Sequence, residues 1–180
     1  MKKFTELLRF VEMETERNPG FANLLIVGKS ETLHSIGRKC DSLFLVRSGF
    51  VRTLCVRDGE EITLGFFAEG DCIILIDSFY YNRPSDVEIR SIEKSEVWAL
   101  GRERLRDILA NNNEISNLTF ERIHGLLADY ARSLESFVTM NAKERYTRLL
   151  EEHPEIVLRS PQKFIRSEER RVGKECRSRW

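Results

Sequence analysis

The spacing of apolar residues changes along the chain, and each change marks a new kind of element. Residues 3–16 carry Phe4, Leu7, Leu8, Phe10 and Val11 near helical spacing, and Asn18-Pro19-Gly20 stops that helix. From Leu24 to about Leu100, short runs rich in Leu, Phe and β-branched residues follow one another: LLIV, TLHSI, SLFLV, FVRTLCV, ITLGFF, CIILI, VEIRSI and EVWAL. Gly28, Gly37, Ser48-Gly49, Asp58-Gly59, Glu69-Gly70-Asp71 and Asn82-Arg83-Pro84 separate them. Asp58-Gly59 between Phe50–Arg57 and Glu61–Phe67 predicts a hairpin, because glycine readily takes the positive φ such a turn needs. About eight short strands so spaced predict an all-β sandwich or barrel.

After Gly101 the period becomes helical. Leu105, Ile108 and Leu109 mark a short helix within RERLRDILANNN. A long helix follows from about Glu114 to Met140, with Ile123, Leu126, Tyr130, Leu134 and Phe137 at three- and four-residue steps. Leu118, Leu127 and Val138 widen this stripe enough for it to pack on the β domain and on a second copy together. Asn141-Ala142-Lys143-Glu144 has the form of a capping box and opens a helix through about Glu152. His153-Pro154 ends it, and Ser160-Pro161 reads as an N-cap followed by proline at the first helical position.

The chain has 180 residues, 41% hydrophobic and 32% charged, a globular composition. Its 29 basic and 29 acidic residues balance, but unevenly. Residues 166–180 hold six basic and three acidic side chains, a net of +3, which leaves 23 against 26 in residues 1–165. No apolar run reaches the roughly 18–20 residues of a membrane span, and the N-terminus lacks the apolar stretch of a signal peptide. Cys40, Cys55, Cys72 and Cys176 stand far apart without a CxxC pair, which predicts free thiols in a reducing cytosol, with a lone redox thiol as the other reading. His34, His124 and His153 are scattered, and no HxH, GxSxG or Walker-type glycine loop occurs. A cupin-type metal enzyme on a β-roll would want paired histidines with a nearby carboxylate, so no enzyme is expected.

Three passages resemble one family. Thr32–Arg52, TLHSIGRKCDSLFLVRSGFVR, is similar to the strand–glycine turn–strand–xxGxxR passage of the Crp/Fnr transcription regulators. Asp58–Asp71, DGEEITLGFFAEGD, resembles the family's hairpin in its Bacteroidetes-type branch. Asn141–Ile165, NAKERYTRLLEEHPEIVLRSPQKFI, resembles the passage before that branch's DNA-binding motif. The resemblance covers roughly residues 25–165. It implies a mainly β protein with α elements: a cyclic nucleotide-binding-like β-roll (a jelly roll) with an N-terminal helix over 1–110, a dimerisation helix over 111–140, and the start of a truncated winged helix-turn-helix over 141–165. It also implies a cytoplasmic homodimer that responds to an unknown small effector. DNA would be bound by the full-length parent and not through this fragment, and no membrane, cofactor or metal is expected. The dimer interface would comprise Ile123, Leu126, Leu127, Tyr130, Leu134 and Phe137. The other reading is a stand-alone β-roll that binds a ligand or protein without DNA.

In relatives that bind cyclic nucleotides, a helix-and-loop cassette follows the Gly-Asp pair. Aligned from Gly70-Asp71, the family's Gly-Glu falls on Ile74-Leu75 and its Arg-Ser on Ser85-Asp86. Ile and Leu cannot accept ribose hydroxyls, and Asp86 would repel a phosphate, so cAMP binding is not expected. Ile73, Ile74, Leu75 and Ile76 then read as core. A pocket for a different ligand would draw on Gly70, Asp71, Phe79, Tyr80, Arg83 and Ser85. After Ile165 the family pattern stops. RSEERRVGKECRSRW, residues 166–180, coincides with a translated sequencing-library adapter, and its interspersed Glu168, Glu169 and Glu175 weaken the rival reading as a nucleic-acid arm.

Overall fold

The computed structural model describes residues 4–169. Helix α1 (Thr5–Arg17) precedes eight strands: β1 (Asn23–Val27), β2 (Thr32–His34), β3 (Ser42–Ser48), β4 (Val51–Arg57), β5 (Glu60–Phe67), β6 (Cys72–Ile73), β7 (Glu88–Ser91) and β8 (Ser95–Gly101). Helix α2 (Ile76–Tyr81) lies between β6 and β7. The chain continues through α3 (Arg102–Asn111), α4 (Asn113–Thr139), α5 (Ala142–Glu152), α6 (Pro154–Arg159) and α7 (Gln162–Glu169). The strands form two four-stranded antiparallel sheets, ordered β1-β8-β3-β6 and β2-β7-β4-β5. This is the predicted β-roll.

Strand alternation explains why Leu43–Val46 of β3 is a continuous apolar run: successive side chains enter two different clusters, one on each face of the sheet. Phe44, Val46, Val51, Ile73, Ile89 and Val97 fill the space between the sheets. Leu43, Leu45, Trp98 and Leu100 face outward into a second cluster with Leu7, Leu8 and Val11 of α1, Leu105 and Ile108 of α3 and Ile115 of α4. On the far side, Phe50 and Phe66 stack at 5.8 Å and meet Ile165, Phe164, Tyr146 and Leu149 of the C-terminal helices. The hairpin turn is as predicted, with Asp58 and Gly59 at φ +53° and +76° and Arg57 paired with Glu60.

Several local expectations need correction. CIILI is not a full strand: only Cys72 and Ile73 pair with β3, and the chain then turns into α2. Leu75 and Phe79, four residues apart, are both buried, and Asn82 ends the helix in the left-handed conformation, φ +55°. Ile76 is accordingly 58% exposed and not part of the core. His153-Pro154 ends α5 as expected but also begins α6, with Pro154 in its first turn. Ser160 does not cap α7; its buried hydroxyl has no hydrogen-bond partner among the described residues. The capping box is present: Asn141 Oδ1 accepts from the Glu144 N–H at 3.1 Å, and Glu144 Oε2 accepts from the Asn141 N–H at 2.8 Å. Cys176 and residues 170–180 of the adapter-like tail lie outside the described residues.

Candidate functional site

Two regions concern function: the cassette from Gly70 to Val87 and the long helix α4. In the cassette, Gly70 takes φ +81°, and its N–H donates to Val46 O at 2.8 Å. Asp71 is 4% exposed. Its Oδ2 accepts from the Ala68 N–H at 2.8 Å, and its own N–H donates to Ala68 O at 3.0 Å, so the carboxylate closes the turn that starts the cassette. Ser78 Oγ accepts from the Cys40 N–H at 2.5 Å, which ties α2 to the loop before β3. Ser85 is equally occupied: its N–H donates to Arg38 O at 2.9 Å, its carbonyl accepts from Gly37, and its Oγ accepts from the Val87 N–H at 3.0 Å.

The six predicted pocket residues therefore divide. Gly70, Asp71 and Ser85 each hydrogen-bond to backbone of the roll. Phe79 is 1% exposed and belongs to the cluster under α1, whereas Tyr80 is 61% exposed. Arg83 is exposed, with its guanidinium 5.7 Å from the Tyr81 ring. Leu75 is buried, and Asp86 is exposed. Two surface clefts lie elsewhere, one lined by Glu12, Thr15, Glu16, Arg47 and Trp98 and the other by residues of the α4–α5 junction; neither includes any of the six. Burial pushes the thiols of Cys40 and Cys72 above the usual thiol range, so neither is poised as a thiolate. Among the described residues no group of three or more His, Cys, Asp or Glu could hold a metal ion. No helix among them is long and apolar enough to cross a membrane.

Charged side chains join the C-terminal helices to the roll, a feature that the sequence pattern does not reveal. Arg52 of β4 is buried; it donates to Thr63 Oγ1 at 3.1 Å, pairs with Glu61, and lies 3.7 Å from the Phe164 ring centroid. Burial pushes its guanidinium pKa down, against the pull of Glu61. Arg159 of α6 bridges Glu69 at 2.8 Å and Glu93 at 2.5 Å. That guanidinium holds the Glu69 carboxyl at about 2.

Helix α4 has two distinct faces. Ile115, Thr119, Arg122 and Leu126 turn toward the roll and α1, where Arg122 meets Glu6 at 3.6 Å and Leu126 packs on the α1–α3 cluster. Leu126 thus separates from the rest of the predicted seam. Ile123, Leu127, Tyr130 and Leu134 are exposed on the other side, Leu134 at 67%, together with Phe120 and Val138, which the predicted interface omitted. The side chain of Phe137 lies outside the described residues.

The cyclic nucleotide-binding domain family matches residues 25–112. No curated protein matches the chain significantly. Among solved structures, a CooA mutant from Carboxydothermus hydrogenoformans is 17% identical with a TM-score of 0.64, over 83% of this chain and 64% of that one. The c-di-GMP responsive global regulator CLP of Xanthomonas campestris is 18% identical with a TM-score of 0.62, over 80% and 74%. The catabolite activator protein of Thermus thermophilus is 21% identical with a TM-score of 0.54, over 69% of this chain and 60% of that one. The chain thus spans less than two thirds of the length of the Thermus protein. The model of the cyclic nucleotide-binding domain thus matches residues 25–112, and the chain shares its fold with these three solved structures.

Proposed function

We propose that this chain is the sensing and dimer-forming part of a cytoplasmic Crp/Fnr-type transcription regulator whose roll does not bind cAMP. The separation of the two faces of α4 supports the dimer most directly: one face holds its own roll, and the other leaves a row of large apolar side chains in water. Phe120, Ile123, Leu127, Tyr130, Leu134 and Val138 together offer about 600 Å² per copy. Doubled, that reaches the roughly 1,200 Å² at which specific interfaces begin. A second copy of α4 is the occupant that matches the face in length and spacing. Residues 141–165 begin the DNA-binding unit, and the parent protein contacts DNA through it.

The absence of cAMP binding is supported by Leu75 and Asp86, which stand where the family places a ribose acceptor and a phosphate partner. Isothermal titration of the chain with cAMP and cGMP tests it. We expect no binding heat at several hundred micromolar nucleotide, and micromolar affinity for either would overturn this reading. A source locus that encodes no helix–turn–helix after Ile165 would favour the stand-alone module.

A further inference from the structure

The apolar row on α4 runs Phe120, Ile123, Leu127, Tyr130 and Leu134, at steps of three, four, three and four. That is the alternation of a and d positions in a coiled-coil seam, with Tyr130 at d. All five are exposed in the protomer. The flanks of the seam differ. On the g side, Thr119 is buried and Leu126 packs on the α1–α3 cluster, so the protomer itself covers them. On the e side, His124, Ala131 and Val138 are exposed, and Ala131 is the smallest of the three. With Ser133 at g, these six flanking residues include no Asp, Glu, Lys or Arg. Coiled coils ordinarily set partner and orientation with charges at e and g. Here shape has to make that choice.

We propose, on the dimer reading above, that Ala131 selects the partner of α4 by making room for Tyr130 of a second copy. In a parallel pair each d side chain enters a hole formed by four residues of the facing helix. For Tyr130 that hole is Leu127, Tyr130, Ala131 and Leu134 of the second copy. A tyrosine ring is rigid and carries its hydroxyl beyond an apolar body, so it needs depth in the facing surface and water at its tip. The methyl group of Ala131 supplies both, because the ring passes over it toward the open side of the seam. A long side chain at this place would push the ring aside and enclose the hydroxyl without a hydrogen-bond partner. The seam therefore accepts an identical helix in parallel register and rejects a helix that is large there.

Sedimentation equilibrium of the whole chain tests this with wild type, A131L, Y130L and the double variant Y130L/A131L, and with A128L as a control. Ala128 is exposed on the same helix but lies outside the seam and its flanks. All three positions are exposed in the protomer, and Ala and Leu are both strong helix formers, so circular dichroism should show helix content unaltered. A131L should weaken the dimer at least about tenfold, although it adds apolar surface to the exposed face. A128L should leave the dissociation constant within about twofold of wild type. In the Y130L background, where no ring crosses position 131, A131L should also change it by less than about twofold. An A131L dimer as tight as wild type or tighter overturns the proposal and leaves the dimer standing. So does an equal loss from A131L with and without Tyr130, or an equal loss from A128L. A wild-type chain that is monomeric overturns the dimer reading itself, and the role of Ala131 with it.

Discussion

Glutamate substitutions at Leu126 and Leu134 separate the two faces of α4, because the side chains sit eight residues apart on one helix yet answer to different partners. Leu134 is 67% exposed in the protomer. Leu and Glu have similar helix propensities, so L134E should change protomer stability by less than about 0.5 kcal/mol. In a dimer the same change removes two seam leucines, each worth about 1.5–3 kcal/mol, and sets two carboxylates opposite one another. The summed loss of at least about 3 kcal/mol corresponds to a dissociation constant more than about 100-fold weaker. Leu126 is half-buried against the α1–α3 cluster. L126E should cost about 2–3 kcal/mol of protomer stability, from lost burial and a carboxylate brought against apolar side chains. For a chain of this size that is a fall in Tm of about 4–12 °C. Sedimentation velocity and thermal denaturation by circular dichroism, run on both variants, read the two effects apart. The reasoning fails if L134E unfolds the protomer, or if L126E dissociates the dimer while its Tm stays unchanged.

Two predictions concern how the roll is held. Gly49 sits at φ +93° in the turn between β3 and β4, and a Cβ there would lie 2.6 Å from Lys94 O and from Ser95 Cα, so G49A should cost about 3 kcal/mol or prevent folding; a Tm within about 2 °C of wild type would refute the crowding argument. The Arg159–Glu69 pair gives a pH signature. Glu69 has a folded pKa depressed to about 2, so its contribution is present above the ordinary carboxylate pKa and fades as pH falls from about 4.5 through 2. The carboxylate is partly exposed, so solvent screening reduces that contribution to about 1 kcal/mol. Urea titrations of wild type and R159Q should therefore differ by about this amount at pH 6 and converge near pH 2, and a constant gap across that range would contradict the ion-pair account.

The alternation of short apolar runs with turn residues determined an all-β sandwich or barrel without help from tertiary structure, since strand-length runs and a positive-φ Asp-Gly turn are properties of the local chain. The same holds for the capping box at Asn141 and for the start of the long helix. Family motifs in the same stretches led to the cyclic nucleotide-binding architecture. What sequence could not determine was which partner each apolar side chain meets. CIILI has the composition of a strand, but only packing of Leu75 and Phe79 into the roll turns its end into α2. Leu126 and Leu134 look alike in a helical stripe, and α1 and α3 alone decide that the first is covered and the second is not. Arg159 and Glu69 are ninety residues apart, and a pairing at that separation leaves no local pattern. The six predicted pocket residues show the same limit. Asp71 closes a turn with Ala68, and Ser85 bonds Val87 and the distant Arg38 carbonyl, because a polar group near the core takes a partner that the folded backbone offers.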